Sequence, residues 1–221
     1  MIQFPDPNLA DDDGLIAQGG LLTPEFLLSA YSQGIFPWFC KDEPILWWSP
    51  NPRMVLFPEK FKIRKTLRQV IKKRTFELRI DTVFKEVITN CSCIPRREQL
   101  ETWITTDIID GYVKLHKLGL AHSFESFFNG ELVGGLYGIS IGNCFFGESM
   151  FFTKTDASKV AFYHLVQFAI KNNFAFIDSQ QYTNHLNSLG AELIPRIRFL
   201  ELLETSLQKE TLQGNWTNLE T

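Results

Sequence analysis

Between residues 121 and 152, apolar positions alternate with others around two short reversals, Asn129-Gly130 and Gly142-Asn143. An Asn-Gly pair suits a two-residue hairpin turn, because both residues tolerate the left-handed backbone that such a turn requires. Three antiparallel strands are therefore predicted. Residues 155–172 then switch to a helical period after a Thr/Asp start, with Val160, Tyr163, His164 and Gln167 along the faces. Phe174-Ala175-Phe176-Ile177 predicts a short buried strand ending at Asp178, and helices follow over about 183–189 and 195–208. Upstream, Thr23-Pro24-Glu25 reads as a helix start and Gly34 as its stop. Prolines at 44, 50, 52 and 58 interrupt regular elements, so a small loop-rich first domain is expected over 1–57 and a larger one over 58–221. Asp81 is expected to cap a helix bearing Phe84, Val87 and Ile88, and another helix should run from Thr105 or Thr106 to Gly119. The class is α+β, with a mostly antiparallel sheet.

The order β-β-β-α-β-α, with a polar residue closing the fourth strand, resembles an N-acyltransferase core of the acetyltransferase (GNAT) type. Acetyltransferases typically hold the pyrophosphate of coenzyme A on a Gly-rich turn before the first core helix. Here that turn reads Phe152-Thr153-Lys154-Thr155-Asp156, without glycine, which disfavours coenzyme A as the donor.

Charge is uneven along the chain. The first 40 residues hold no Lys or Arg, whereas residues 59–74 hold eight of the 22 basic residues against one acid. Within them Ile63, Leu67, Val70 and Ile71 mark one helix face, and Lys65, Arg68, Lys72 and Lys73 fall largely outside it. Such a surface is either an ordinary solvated face or a docking site for a polyanion; the net charge of −3 does not forbid the second. The 44% hydrophobic fraction excludes a disordered tail. No apolar run approaches the ~18 residues of a membrane span, and the acidic N-terminus lacks the features of a signal peptide. The four Cys and four His show no ligand spacing, so reduced thiols in a cytoplasmic protein are expected and no metal site.

Two polar residues interrupt apolar strands. Glu148 lies between Phe146 and Met150, and Asp178 follows Phe176-Ile177, with Gln180 two residues on. Each acid is either a hydrogen-bonded structural group or half of an acid–base pair brought together in one cleft. No Ser-His-Asp or Cys-His arrangement is apparent, which disfavours a covalent acyl-enzyme. Trp38, Trp47 and Trp48 stand among prolines, as core or as a stacking platform for a base.

Several segments together carry a resemblance: Phe4-Pro5-Asp6-Pro7, residues 30–38 (AYSQGIFPW), residues 46–53 (LWWSPNPR) and Thr102-Trp103-Ile104. Residues 132–138 (LVGGLYG), 146–151 (FGESMF), 156–159 (DASK), 177–180 (IDSQ) and 188–191 (SLGA) continue it in order. The chain resembles the bacterial leucyl/phenylalanyl-tRNA–protein transferases from about residue 4 to 200. That resemblance implies transfer of Leu or Phe, also Met, from aminoacyl-tRNA to the α-amine of proteins beginning with Arg or Lys, which marks them for degradation. It implies a monomer without metal or coenzyme, and direct aminolysis of the ester. Asp178 and Gln180 match positions implicated in catalysis, with Asp178 orienting Gln180 and attracting the amine, and Glu148 is the candidate for holding the acceptor's basic group. Leu136, Phe145, Met150 and Ile177 match the aminoacyl pocket, although strict strand alternation puts Phe145 opposite Met150 unless a bulge intervenes. Trp38 and Trp103 match the site of the terminal adenosine. Lys65, Arg68, Lys72, Lys73 and Arg74 match the basic patch for the tRNA backbone. Residues 94–101 depart from the family's usual glycine before Thr102. An acyl-coenzyme-A-dependent N-acyltransferase and a non-catalytic tRNA-binding protein are the alternatives.

Overall fold

The computed structural model describes residues 2–94 and 102–219; the departure noted over 95–101 lies outside them. After a short 3-10 turn at Pro7–Leu9 comes β1 (Leu15–Gln18), followed by α1 (Pro24–Ser32), whose cap Thr23 accepts the Phe26 N–H as the Thr-Pro pair predicts. Next come β2 (Phe36–Pro37) and β3 (Leu46–Trp48), which complete a three-stranded sheet in the order β1-β3-β2. The run β4 (Arg53–Leu56), buried throughout, leaves this sheet and joins the larger one.

The basic stretch forms α2 (Lys65–Lys72), preceding β5 (Glu77–Ile80) and α3 (Phe84–Cys93). Asp81 does not cap α3. Its backbone is left-handed, and its buried carboxylate instead accepts from His122 Nδ1 at 2.8 Å, Ser123 N at 2.9 Å and Trp216 N at 3.0 Å. Glu125 takes over at the α3 start, accepting from Thr82 Oγ1 at 2.8 Å and weakly from the Thr82 and Val83 N–H groups. A carboxylate from across the sheet thus serves orphan donors that the local sequence leaves open.

After α4 (Thr106–Lys117), capped by Thr105, come β6 (Ala121–Phe128), β7 (Glu131–Ile141) and β8 (Cys144–Phe152). They pair antiparallel, and the first hairpin turns on Asn129 and Gly130, both at positive φ. Then follow α5 (Ala157–Lys171), β9 (Phe176–Asp178), α6 (Asn184–Ser188), β10 (Glu192–Ile194) and α7 (Arg196–Leu207). The expected Asp156 cap of α5 is absent: Asp156 sits at φ 69°, and its side chain holds Lys159 at 2.6 Å instead of a first-turn N–H.

The large sheet runs β10-β4-β9-β8-β7-β6-β5, antiparallel except for β8 against β9. Three antiparallel strands, a covering helix and a strand parallel to the third make the acetyltransferase-like α+β core expected from the sequence. One face packs α5 and the C-terminal segment around Phe124, Phe145, Phe168 and Trp216. The other face packs α1, α3, α4 and α7 around Tyr31, Tyr112, Tyr137 and Phe146. That second core is continuous with the small sheet through Phe36 and Trp47.

One irregularity places the site. Tyr137 pairs with Ser149 and Gly138 with Gly147, so Glu148 is an extra residue in β8. The bulge reverses the alternation: Phe145 and Met150 fall in one core, Phe146 and Phe151 in the other. The bulge needed for Phe145 to share a face with Met150 is present. A Cβ at Gly138 would strike the Phe145 ring and the Phe146 carbonyl beside this bulge. We expect Gly138→Ala to cost about 1–3 kcal/mol through this overpacking. A denaturation midpoint equal to that of the parent would contradict it.

Candidate active site

The parallel pairing of β8 and β9 ends at Phe146 and Asp178. Beyond it the two strands part, and a cleft of about 760 Å³ opens between them. Gly147, Glu148 and Ser149 form one side, Ser179, Gln180 and Gln181 the other. Leu136, Met150, Phe162 and Leu165 give it an apolar end, while Phe36, Trp38 and Trp103 close the opposite wall.

Six residues named from the sequence therefore meet in this cleft: Glu148, Gln180, Leu136, Met150, Trp38 and Trp103. Phe145 and Ile177 do not line it. Both are fully buried in the core that backs the apolar end, where Phe145 packs against Phe124 and Trp216. Asp178 does not reach the cleft either. It is fully buried, and Arg53 grips it with two bonds, Nε to Oδ1 at 2.9 Å and a second terminal nitrogen to Oδ2 at 2.7 Å. Arg53 is itself fully buried between the Phe36 and Phe199 rings, and it also donates to the Gly34 carbonyl. The charge of Asp178 is thus taken up inside the protein, so an attraction for an amine in the cleft falls to another group.

What Asp178 does reach is Gln180. Its Oδ1 accepts the Gln180 N–H at 3.0 Å, and the Gln180 carbonyl accepts the Met54 N–H at 3.1 Å. These bonds hold Gln180 at φ 54°, a left-handed conformation costing a non-glycine residue about 1–3 kcal/mol. The strain is spent on aim: Gln180 Nε2 points back across the cleft to Glu148 Oε1 at 3.2 Å.

Glu148 is the electrostatic centre. Its Oε1 also accepts from the Tyr31 hydroxyl at 2.7 Å, and Oε2 from the Tyr112 hydroxyl at 3.0 Å. The two hydroxyls, from Tyr31 in α1 and Tyr112 in α4, also lie in contact with each other; each has one proton, and both are committed to Glu148. Burial pushes the Glu148 pKa up to about 7, outweighing the stabilising bonds from the two tyrosines. Burial and the nearby carboxylate raise both phenol pKa values well above normal, so they remain donors. Among the described residues no cation pairs with Glu148. A sunken carboxylate with three neutral donors and no counter-charge is suited to receive one.

Arg53, Tyr31, Tyr112, Phe162 and Leu165 were not singled out from the sequence. Arg53 and Tyr31 do lie inside the segments that carry the family resemblance. The basic residues Lys65, Arg68, Lys72, Lys73 and Arg74 are all exposed, apart from the cleft, on α2 and the turn after it. Between α2 and the cleft lies a second cavity of about 370 Å³, and His185 lines both. Among the described residues no three His, Cys, Asp or Glu side chains converge as metal ligands would, and no helix is long and apolar enough to cross a membrane.

Two family models match the chain: leucyl/phenylalanyl-tRNA protein transferase over residues 55–204, and the N-terminal domain of the same family over 20–51. A leucyl/phenylalanyl-tRNA–protein transferase of Legionella pneumophila (strain Corby) is 52% identical over 214 residues, covering 97% of this chain and 96% of the relative. A protein of the same name from Desulfatibacillum aliphaticivorans is 50% identical over 98% of this chain and 93% of its own. That of Thermodesulfovibrio yellowstonii is 53% identical over 96% and 87%. Among solved structures, a GCN5-related N-acetyltransferase-like protein from Streptococcus suis 89/1591 matches with a TM-score of 0.37. It is 12% identical, over 77% of this chain and 63% of that one, a likeness too remote to add to the strand order.

Proposed function

The chain belongs to the leucyl/phenylalanyl-tRNA–protein transferase family and is an aminoacyltransferase, and from that premise we propose its substrates and mechanism. The donor is Leu-, Phe- or Met-tRNA, and the acceptor is the α-amine of a protein beginning with Arg or Lys. The product carries a new N-terminal residue that commits it to degradation. The reaction runs in the cytoplasm, where charged tRNA is made, and the working unit is the monomer.

The observation that carries this reading is the pairing of an apolar end with an unpaired carboxylate in one cleft. Leu136, Met150, Phe162 and Leu165 suit a side chain unbranched at Cβ. Trp38 and Trp103 offer aromatic surface to the terminal adenine, where stacking is worth about 1–3 kcal/mol. Glu148 awaits a cation, and an acceptor beginning with Arg or Lys brings two.

The chemistry is aminolysis of an activated ester. The acceptor ammonium, paired with Glu148, loses one proton to that carboxylate or to solvent. Its nitrogen attacks the ester carbonyl while the Gln180 amide oxygen accepts a hydrogen bond from the remaining N–H. The tetrahedral intermediate expels the ribose oxygen, which leaves with a proton from the nitrogen. One amide forms, one ester breaks, and one proton is released. Asp178 is a positioning residue in this scheme, acting through Gln180. Because the ester is already activated, holding the two reactants together supplies much of the rate.

Incubation with labelled Phe-tRNA and a peptide beginning with Arg tests the reading: label is expected at the peptide's N-terminus. Transfer from acetyl-coenzyme A alone, or retention of tRNA without transfer, would overturn it. The basic helix carries a second test. Replacing Lys72 and Lys73 by Glu should weaken tRNA binding and flatten its salt dependence, the slope changing by about 0.9 per lost phosphate contact on a duplex. Unaltered binding and slope would remove α2 from the docking surface.

A further inference from the structure

We propose that the cavity between the first turn of α2 and helix α6 binds the first phosphodiester outside the active cleft, the one joining the donor RNA's terminal adenosine to its neighbour. This rests on the aminoacyl-tRNA reading above and adds to it a site that fixes where the single-stranded end crosses.

Donor-bearing side chains line the cavity beside Leu67 and Leu189: Arg64 and Thr66 from the α2 side, Lys159 from α5, and Asn184 and His185 from α6. Ser188 also lines it, but its hydroxyl donates to the His185 carbonyl at 2.7 Å. Asp156 is the one acid in the lining, and it is already engaged by Lys159 at 2.6 Å. Arg64 is exposed and has no carboxylate partner among the described residues. The lining is therefore net positive, and a guanidinium fork matches phosphate oxygens. The neutral groups are oriented to help. Asn184 Oδ1 accepts the Tyr182 hydroxyl at 2.9 Å, which leaves the Asn184 amide N–H groups to donate. Burial, together with Lys159 and Arg64 nearby, holds the His185 pKa below its ordinary value, so at neutral pH the ring is uncharged and still offers an N–H.

Position supplies the second half of the argument. His185 is part of the wall of both cavities, so the small one adjoins the active cleft directly. On its other side Arg64 leads straight into the exposed row of Lys65, Arg68 and Lys72. For a strand whose last nucleoside lies in the cleft and whose duplex lies on α2, this cavity is a crossing that borders both. The acceptor protein is a poor alternative occupant, since its N-terminal Arg or Lys is repelled by Arg64 and Lys159.

Two minimal donors separate this site from the rest of the docking surface. Phenylalanyl-adenosine has no phosphate; phenylalanyl-CpA has one phosphodiester and is too short to lie along α2. With a peptide beginning with Arg as acceptor, the double variant Arg64→Gln, Lys159→Gln should raise KM for phenylalanyl-CpA about tenfold, as expected for losing a charge-assisted contact. It should leave kcat, and transfer from phenylalanyl-adenosine, within about twofold. Equal losses with both donors, or none with either, overturn the proposal. Inorganic phosphate should compete with phenylalanyl-CpA in the parent protein and not in the variant. Phosphate binding lost in the variant while the two donors stay indistinguishable would make this a free-phosphate site, and the RNA assignment falls. A parent protein that transfers from neither donor nor from Phe-tRNA overturns the aminoacyl-tRNA reading itself, a result distinct from each of these.

Discussion

Asp178→Asn is expected to abolish aminoacyl transfer and to cost about 3–5 kcal/mol of folding stability, because it leaves the Arg53 guanidinium charged, buried and unpaired. Both side chains are fully buried, and two hydrogen bonds join them, so water cannot replace the missing partner. The amide keeps one oxygen for Arg53 Nε and the Gln180 N–H to share, but its NH2 group faces the Arg53 terminal nitrogen, donor against donor, and the shift this forces loosens the restraint on the left-handed Gln180 backbone. Loss of activity alone would not separate a chemical role from unfolding. The double change Arg53→Met, Asp178→Leu does: removing both charges should recover much of the stability, since apolar groups of similar size replace a buried pair at little cost. Transfer should stay lost, because nothing then aims Gln180. A double variant with parental turnover would show that the pair only fills space. An Asp178→Asn protein of unchanged melting midpoint would show that the ion pair is not formed in solution.

Glu148→Gln should have the second largest effect, a loss of about 10²–10⁴ in kcat/KM at neutral pH, the range of a group that moves or holds a proton in the reaction. The pH profile identifies it. With a pKa of about 7, Glu148 becomes the charged partner of an ammonium only as pH rises through that value. In the parent, kcat/KM should rise with an inflection near there, in addition to the acceptor amine's own titration at about 7.7–8.0. Only the amine's limb should remain in Glu148→Gln. Stability should move in the opposite direction. Between the unfolded carboxyl's value near 4.5 and the folded value of about 7, the native state holds a proton that the unfolded chain has lost. Relative to Glu148→Gln, the parent therefore loses stability as pH rises across that window; His164, whose pKa burial lowers to about 4, adds an opposite slope to both proteins alike. Identical pH–stability curves for the two proteins would mean that this carboxyl is not sunk in the cleft wall as described.

The elements themselves were legible in the sequence where local rules act alone. Asn129-Gly130 makes its hairpin because both residues accept positive φ, and Thr23-Pro24 starts its helix because a hydroxyl and a fixed ring suit those positions. The same local rules failed at Asp81 and Asp156. Each had a better partner than the helix end beside it, His122 and Trp216 in one case and Lys159 in the other. Trp216 illustrates the difficulty: it lies in a stretch with no periodic signal, yet it is fully buried against Phe168 and His122.

Sequence by itself determined the α+β order, the family and the identity of the polar residues at the ends of two apolar strands. Those depend on neighbours a few positions apart, or on matched segments. Only the tertiary structure decided what the polar residues do. Arg53 lies 125 positions from Asp178, and Tyr31 lies 117 from Glu148; these contacts exist because the chain returns to the same cleft. One extra residue in β8 turns Glu148 out of the alternation, and one buried guanidinium takes the charge of Asp178 away from the substrate. Charge and desolvation are properties of a place in space, and spacing along the chain does not encode them.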